Sequence, residues 1–273
     1  MDAINKALII RITGDRVEEL EDRIAVETTF TLYVNGEILV SLLCTPTELD
    51  ALAVGFLISE GLLSEHRSLQ SVDVDEKRSI VSVRLHNLPP NWNTSYQKKT
   101  ITSGCGKGVT FANMGEIPEA AVSRRSFALH PETIRTLLKR FAKMSDLYLK
   151  TGGVHSAALA DIRGDILLFS EDIGRHNAVD KLIGKAFLAD VKLDDKLLCT
   201  SGRVSGEIMT KVIRKGIPVL ISRTAPTCMS IAYAEHHGVT LIGFARGKRM
   251  NVYTHPLRIS LAPDIRVKAG LEP

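Results

Sequence analysis

From about residue 130 onward the sequence alternates between helical and strand signals with a regularity that few folds accept. Pro131 opens a stretch in which Ile134, Leu137, Leu138, Phe141 and Met144 recur at helical spacing, and AALAD and DILLFS then form a strand pair about Arg163-Gly164. Next come a helix from about Asn177 to Ala189, the strand LLCT, a helix from Ser205 to Lys215, the strand IPVLIS, a helix from about Pro226 to His236 and the strand TLIGFA. Short apolar strands joined through helices return the chain to the same end of a sheet and pair in parallel. The pattern predicts βαβαβ and a parallel sheet in a layered α/β domain.

Ahead of it the period changes. ALIIRIT reads as a strand, and FTLYV and EILVSLL read as two more, joined by Asn35-Gly36, the signature of a type I′ hairpin. The expectation is an opening meander. Thr45-Pro46-Thr47-Glu48 has the form of a capping box with proline at the first helical position, followed by Leu49, Leu52, Ala53, Phe56 and Leu57 at helical spacing up to Gly61. That helix is expected to bury one face. IVSVRL, residues 80–85, is another strand, and residues 86–125 carry prolines, glycines and polar runs without firm periodicity. A segment of that length without an element is either functional or mobile. The chain thus divides into a smaller α+β domain, residues 1–125, and an α/β domain, residues 126–273.

Composition narrows the function classes. The net charge of +4 is too small to argue for a nucleic-acid partner, and no window reaches the length of a membrane span. The N-terminus has no basic segment followed by an apolar run, so a cytoplasmic location is expected. Four cysteines, Cys44, Cys105, Cys199 and Cys228, lie far apart without zinc-ligand spacing, which predicts reduced thiols and no metal site.

In a parallel sheet ligands bind beyond the carboxyl ends of the strands, where loops feed helix N-termini. Four loops are selected on that ground alone: Glu171 to Asn177, Ser201 to Ser205, Arg223 to Thr227 and Arg246 to Arg249. Each contains arginine. Arginine forks, small hydroxyls and open helix N-termini are what a phosphate or pyrophosphate requires, although a single loop arginine more often caps a helix or stays solvated. The candidates are Asp172, Arg175, His176, Asn177, Ser201, Arg203, Ser205 and Arg223, with His155 at the strand that follows Gly152-Gly153. Asp172, Asp180 and Glu207 could accept from a base or ribose, or Asp180 and Glu207 could be helix-surface or capping residues. His155 could equally be a hydrogen-bonded structural residue.

Cys105 stands in SGCG, between glycines and close to Lys98, Lys99 and Lys107. Such a setting lowers a thiol pKa and leaves sulfur accessible, whereas most cysteines pack as small apolar residues. Cys44 and Cys199, each beside leucines at a strand end, fit the packing role; Cys105 has no apolar run around it.

SGCG at 103–106, GGVHSAAL at 152–159, EDIGRHNAVDKLIG at 171–184, SGRVSGE at 201–207 and GFARGKRMNVYTH at 243–255 together resemble the formate dehydrogenase accessory sulfurtransferases, the FdhD family, along nearly the whole chain. The resemblance implies a cytidine-deaminase-like α/β fold acting as a homodimer. It implies that Cys105 accepts persulfide sulfur from a cysteine desulfurase of the IscS type. It further implies transfer of that sulfur to the molybdenum cofactor, a bis(molybdopterin guanine dinucleotide), before insertion into formate dehydrogenase. GDP-like moieties would occupy the C-terminal domain, with Phe244, Ala245, Arg246, Gly247, Lys248 and Arg249 matching the family's cofactor-binding segment. Gly108 stands where many relatives carry a second cysteine, which favours a single sulfur carrier.

Two other readings compete. A zinc-dependent nucleotide hydrolase would need H-x-E with P-C-x-x-C, and His155 is followed by Ser-Ala while Cys228 has no partner three residues away. A chaperone that binds cofactor or apoenzyme without chemistry would not need Cys105.

Overall fold

The structure is a computed structural model that describes residues 2–86, 88, 92, 99–101 and 127–261. Within them the chain is a mixed α/β protein built on three sheets. β1 (Ile4–Thr13) and β2 (Arg16–Ala25) form an isolated antiparallel ribbon. β3 (Thr28–Val34), β4 (Glu37–Cys44), β5 (Leu69–Asp75), β6 (Ile80–Leu85) and β7 (Lys99–Ile101) form a five-stranded sheet in the order β5-β6-β3-β4-β7. Asn35 and Gly36 both take positive φ, 50° and 87°, as a type I′ turn demands.

No meander forms. β3 lies between β4 and β6 and runs parallel to β6, because α1 (Leu49–Ser59) and β5 intervene before the chain returns. Three strands of these two sheets escaped the sequence reading: β2 is charged along most of its length, β5 mixes polar and charged residues with its apolar ones, and β7 is three residues long. Their pairing is set by a partner strand and not by their own apolar periodicity.

The six-stranded sheet has the order β13-β12-β11-β10-β8-β9. β10 (Leu197–Thr200), β11 (Val219–Ser222) and β12 (Thr240–Arg246) are its parallel core. β8 (His155–Ala160) runs antiparallel to β10, β9 (Ile166–Asp172) antiparallel to β8, and β13 (Arg249–Val252) antiparallel to β12. Consequently β9, β10, β11 and β12 all end at one edge, the edge where β8 begins.

Both faces of this sheet are covered. Leu159, Leu198, Leu220 and Leu241 enter one core together with α4 (Arg175–Leu188), α5 (Gly206–Arg214) and α1, while Ala158, Cys199, Ile221 and Ile242 enter a second with α2 (Pro131–Met144). α3 (Asp146–Thr151) and α6 (Cys228–His236) complete the helices of the described residues. The first core draws on residues 30–85 as well as 157–241, so it runs across both portions of the chain.

α1 is buried on every side and not on one face, since Leu49 and Ala51 through Ser59 are all inaccessible. Its start also differs from the capping box. Glu48 occupies the N-cap with φ 54° and no side-chain cap bond, because Thr45 is engaged elsewhere and Glu48 pairs with Lys185.

α1 and α4 cross backbone to backbone through two glycines. A Cβ on Gly55 would lie 1.8 Å from the Asp180 carbonyl oxygen, and one on Gly184 would lie 1.9 Å from that of Ala51. Neither backbone oxygen can swing aside as a side chain would, so the helices would have to separate. Gly184→Ala is therefore expected to destabilise by about 3 kcal/mol or more, at the upper end of overpacking costs. Denaturant unfolding would show it, and an unchanged midpoint would refute the close crossing.

Candidate functional site

The shared edge of β8 to β12 opens into a cavity of about 400 Å³. His155, Ser201, Arg223, Thr224 and Arg246 line it from the strand ends, and Phe141, Ser145 and Tyr148 wall it from α2 and the start of α3. Four residues expected from the sequence thus meet in one concavity. The Ser145 and Tyr148 wall was not anticipated, because α3 is too short to show a period; Gly152-Gly153 after it was the available signal.

Each strand-end loop is held by its own backbone chemistry. The Ser201 hydroxyl accepts from the Ser156 amide at 2.9 Å and lies 3.3 Å from His155 Nδ1, linking β8 to the loop after β10. Gly202 packs against Arg175, where a Cβ would come within 2.8 Å of the arginine Cβ, so the loops after β9 and β10 touch. Ser205 is the N-cap of α5 and accepts from the Ile208 amide. His176 Nε2 lies 3.3 Å from the Ser205 hydroxyl and 3.1 Å from Glu207 Oε2. Phe244 takes φ 49° and its amide donates to the Thr224 carbonyl at 3.0 Å, joining the last two loops. The Arg249 guanidinium lies 5.4 Å from the centre of the Phe244 ring, and Gly247 turns the chain between them with φ 61°. Ala245 is buried in the second core and Lys248 is exposed.

The electrostatic balance of this edge is positive. Burial first, and then the charges of Arg175, His176 and Arg203, push the His155 imidazole below its ordinary 6.5. That response places Arg175, His176 and Arg203 close enough to act on His155, beside a cavity that already holds Arg223 and Arg246. α4 begins at Gly174 without a side-chain cap, leaving the positive end of its dipole at the same edge. An anionic ligand would find guanidinium forks and a helix terminus there.

Asp172 and Asn177 are arranged differently. Asp172 Oδ2 accepts from the Thr45 amide at 3.0 Å, the Thr45 hydroxyl at 2.9 Å and Lys181 at 2.7 Å, with both charged side chains fully buried. Its Oδ1 accepts from the Gly174 amide at 2.8 Å and from Asn177 at 2.9 Å, and Asn177 also donates to the Leu43 carbonyl at 2.8 Å. These two residues shape the loop from within. Asp180 is not a helix-surface residue: it is buried, bonded to Ser59 at 2.5 Å and to Lys211 through both oxygens. Glu207, in the first turn of α5, faces His176, and Ser205 is the N-cap of that helix.

Among the described cysteines, Cys44 and Cys199 are buried, and burial pushes each thiol up to about 12. The nearby Asp172 charge adds to the effect at Cys44. Both are chemically quiet at neutral pH. Cys228 is exposed at the start of α6. Cys105, Gly108 and the lysines Lys98 and Lys107 lie outside the described residues.

Residues 25–260 match the model of the FdhD/NarQ family. The chain is 38% identical over 249 residues to the sulfur carrier protein FdhD of Bacillus subtilis, covering 91% of this chain and 95% of that protein. It is 39% identical over 259 residues to the sulfur carrier protein FdhD of Wolinella succinogenes, covering 94% and 90%. A crystal structure of a protein described as a putative formate dehydrogenase accessory protein from Desulfotalea psychrophila superposes with a TM-score of 0.77 at 24% identity, covering 95% of this chain and all of that one. That superposition shows the shared fold.

Two outcomes follow from the geometry. Lys181→Met would strand the Asp172 carboxylate in the core and is expected to cost about 3–5 kcal/mol in an unfolding measurement, with the loop around Gly174 losing amide-exchange protection first. His155 has its pKa depressed in the folded state, so the unfolded chain takes up its proton more readily and stability falls as pH drops below 6.5. His155→Gln should flatten that part of the stability–pH curve, and an unaltered curve would contradict the position of His155 among cations.

Proposed function

The chain belongs to the FdhD/NarQ family, and on that premise we propose that it is a sulfur carrier that delivers persulfide sulfur to a molybdenum cofactor destined for formate dehydrogenase. The observation that carries the reading is the single cavity formed by His155, Ser201, Arg223 and Arg246 at the common end of four strands, with Arg175, His176 and Arg203 beside it. A cofactor extended by guanine dinucleotide arms presents pyrophosphates, and planar guanidinium groups beside an uncapped helix end are matched to them.

In this reading the Cys105 thiolate attacks the terminal sulfur of a desulfurase persulfide; a new sulfur–sulfur bond forms on Cys105 and the donor thiolate leaves. The cofactor is substrate, held by its nucleotide arms while Cys105 presents sulfur. Arg223 and Arg246 would bind phosphate oxygens, and His155, kept neutral by its surroundings, would offer a hydrogen bond without adding charge. The Phe244–Arg249 turn, pinned to Thr224, would flank the guanosine arm. We read the sheet with its parallel β10-β11-β12 core as the cytidine-deaminase-like layer of the family, and the working form as a homodimer in the cytoplasm.

The alternative of a chaperone without chemistry makes a different demand on one atom. Cys105→Ala should abolish the mass gain of one sulfur atom after incubation with a cysteine desulfurase and cysteine, and should abolish support of formate dehydrogenase activity. Support that survives Cys105→Ala would favour the chaperone. Arg223→Ala and Arg246→Ala should each weaken GDP binding about tenfold, the worth of one charged hydrogen bond, while persulfide formation at Cys105 is retained. Unchanged GDP affinity in both variants would remove the strand-edge cavity from the proposal.

A further inference from the structure

The β1–β2 ribbon leaves a large apolar face uncovered. Its register pairs Ile4 with Ala25, Lys6 with Arg23, Leu8 with Glu21, Ile10 with Glu19 and Ile12 with Val17, and paired residues share a face. On that face Leu8, Ile10, Ile12 and Val17 are 77%, 70%, 71% and 65% exposed. The opposite face is partly buried at Ala7, Ile9, Leu20 and Asp22, and β2 packs on α3. Among the described residues no third strand joins the ribbon. Two strands alone are marginal in water, and a contiguous exposed apolar face marks a binding surface.

We propose that this face is an isologous contact with a second copy of the chain, the two ribbons stacked face to face and antiparallel. The proposal rests on the two-copy reading given above and adds which surface makes the contact. The charge pattern selects the occupant. From foot to tip the face carries Ile4 with Ala25, then the cations Lys6 and Arg23, then Leu8, then the anionic half with Glu21 and Glu19, and at the tip Ile12 with Val17. An antiparallel two-fold through Leu8 brings Ile12 and Val17 to the half-buried Ile4 and Ala25 of the partner, Leu8 to the partner's Leu8 and Arg23 to the partner's Glu19. It leaves the Lys6 stem over the partner's Ile10 and Glu21 over the partner's Glu21. Glu21 near the axis is already neutralised by its own Lys6 at 2.7 Å. The parallel arrangement fails, because it would set Lys6 against the partner's Arg23 and press Leu8 and Ile10 onto the partner's Glu21 and Glu19. A two-fold contact requires such a pattern, in which each half of the face complements the other half.

Charge reversal across the proposed axis tests it with the full chain. Arg23 and Glu19 are exposed, so Arg23→Glu and Glu19→Arg should leave the unfolding midpoint of the monomer, measured at concentrations too low for association, in place. In sedimentation equilibrium the wild type should be dimeric, and each variant alone should dimerise at least about tenfold more weakly, because like charges then face each other. An equimolar mixture should recover the dimer. In one half of the mixed contact the carboxylate introduced at position 23 meets the guanidinium introduced at position 19, and in the other half the native Glu19 and Arg23 meet. A wild type that stays monomeric would overturn the two-copy reading and this contact together. A dimer indifferent to both variants, or a mixture no tighter than the variants alone, would overturn the ribbon contact and leave the two-copy reading standing.

Discussion

One buried carboxylate holds the two portions of this chain in register. Asp172 ends β9, and its two oxygens take up the exit of β4 through Thr45, the ammonium of Lys181 on α4 and the amide of Gly174 that begins the loop beside the cavity. Such a carboxylate tolerates a dry site only when every acceptor position is met, and here strand, helix and loop must all be in place to meet it. The α1–α4 crossing makes that geometry reachable. Gly55 and Gly184 bring the two backbones together, and Lys181, one turn before Gly184, can then donate to the Thr45 hydroxyl at 2.7 Å. A larger residue at either glycine would move Thr45 away from Asp172 and loosen the loop that carries Arg175 and His176.

The interior arrangement explains which parts of the sequence were readable. Apart from the short α3, helices and strands from residue 131 to 246 announced themselves, because each buries its apolar residues against a neighbour that the βαβ order supplies. The strand-end rule then found Ser201, Arg223 and Arg246, and the strand after Gly152-Gly153 supplied His155; the four meet in the cavity. What could not be read were contacts over long separations. Thr45 looked like a helix cap, since nothing local shows that a carboxylate 127 residues away takes its amide and hydroxyl. Asp180 looked like a surface residue, since the cation that buries it, Lys211, stands on another helix. Asp172 and Asn177 were legible as members of the loop but not as its internal scaffold. Their polarity is the same in either role, and only the fold decides where it points.

The polar interior also separates two tasks that the edge combines. Buried pairs such as Asp172–Lys181 and Asp180–Lys211 are balanced within the protein, although the Asp172 charge still reaches His155 and opposes the arginines there. The cations at the cavity mouth are a different population: Arg223 and Arg246 come from strands whose ends coincide only because β9 to β12 share one direction. Their mutual repulsion is the cost of placing them together, and an anion bound between them would relieve it. His155 lines the same cavity, and its pKa is lowered first by burial and then by the charges of Arg175, His176 and Arg203.

The same logic bears on the proposed sulfur chemistry. A thiol must ionise to accept or hand over sulfur, and burial forbids that at Cys44 and Cys199. Cys44 carries a second penalty, because the Asp172 charge that organises the fold opposes a thiolate beside it. The carboxylate that aligns the cavity loop therefore also keeps the nearest core cysteine inert. On the proposed function, sulfur transfer would fall to Cys105, whose sequence surroundings, SGCG with Lys98, Lys99 and Lys107 close by, add positive charge near the thiol. In the proposed function the strand edge and the thiol would be complementary parts, since a cofactor held there by its phosphates would keep its metal end free to meet the sulfur.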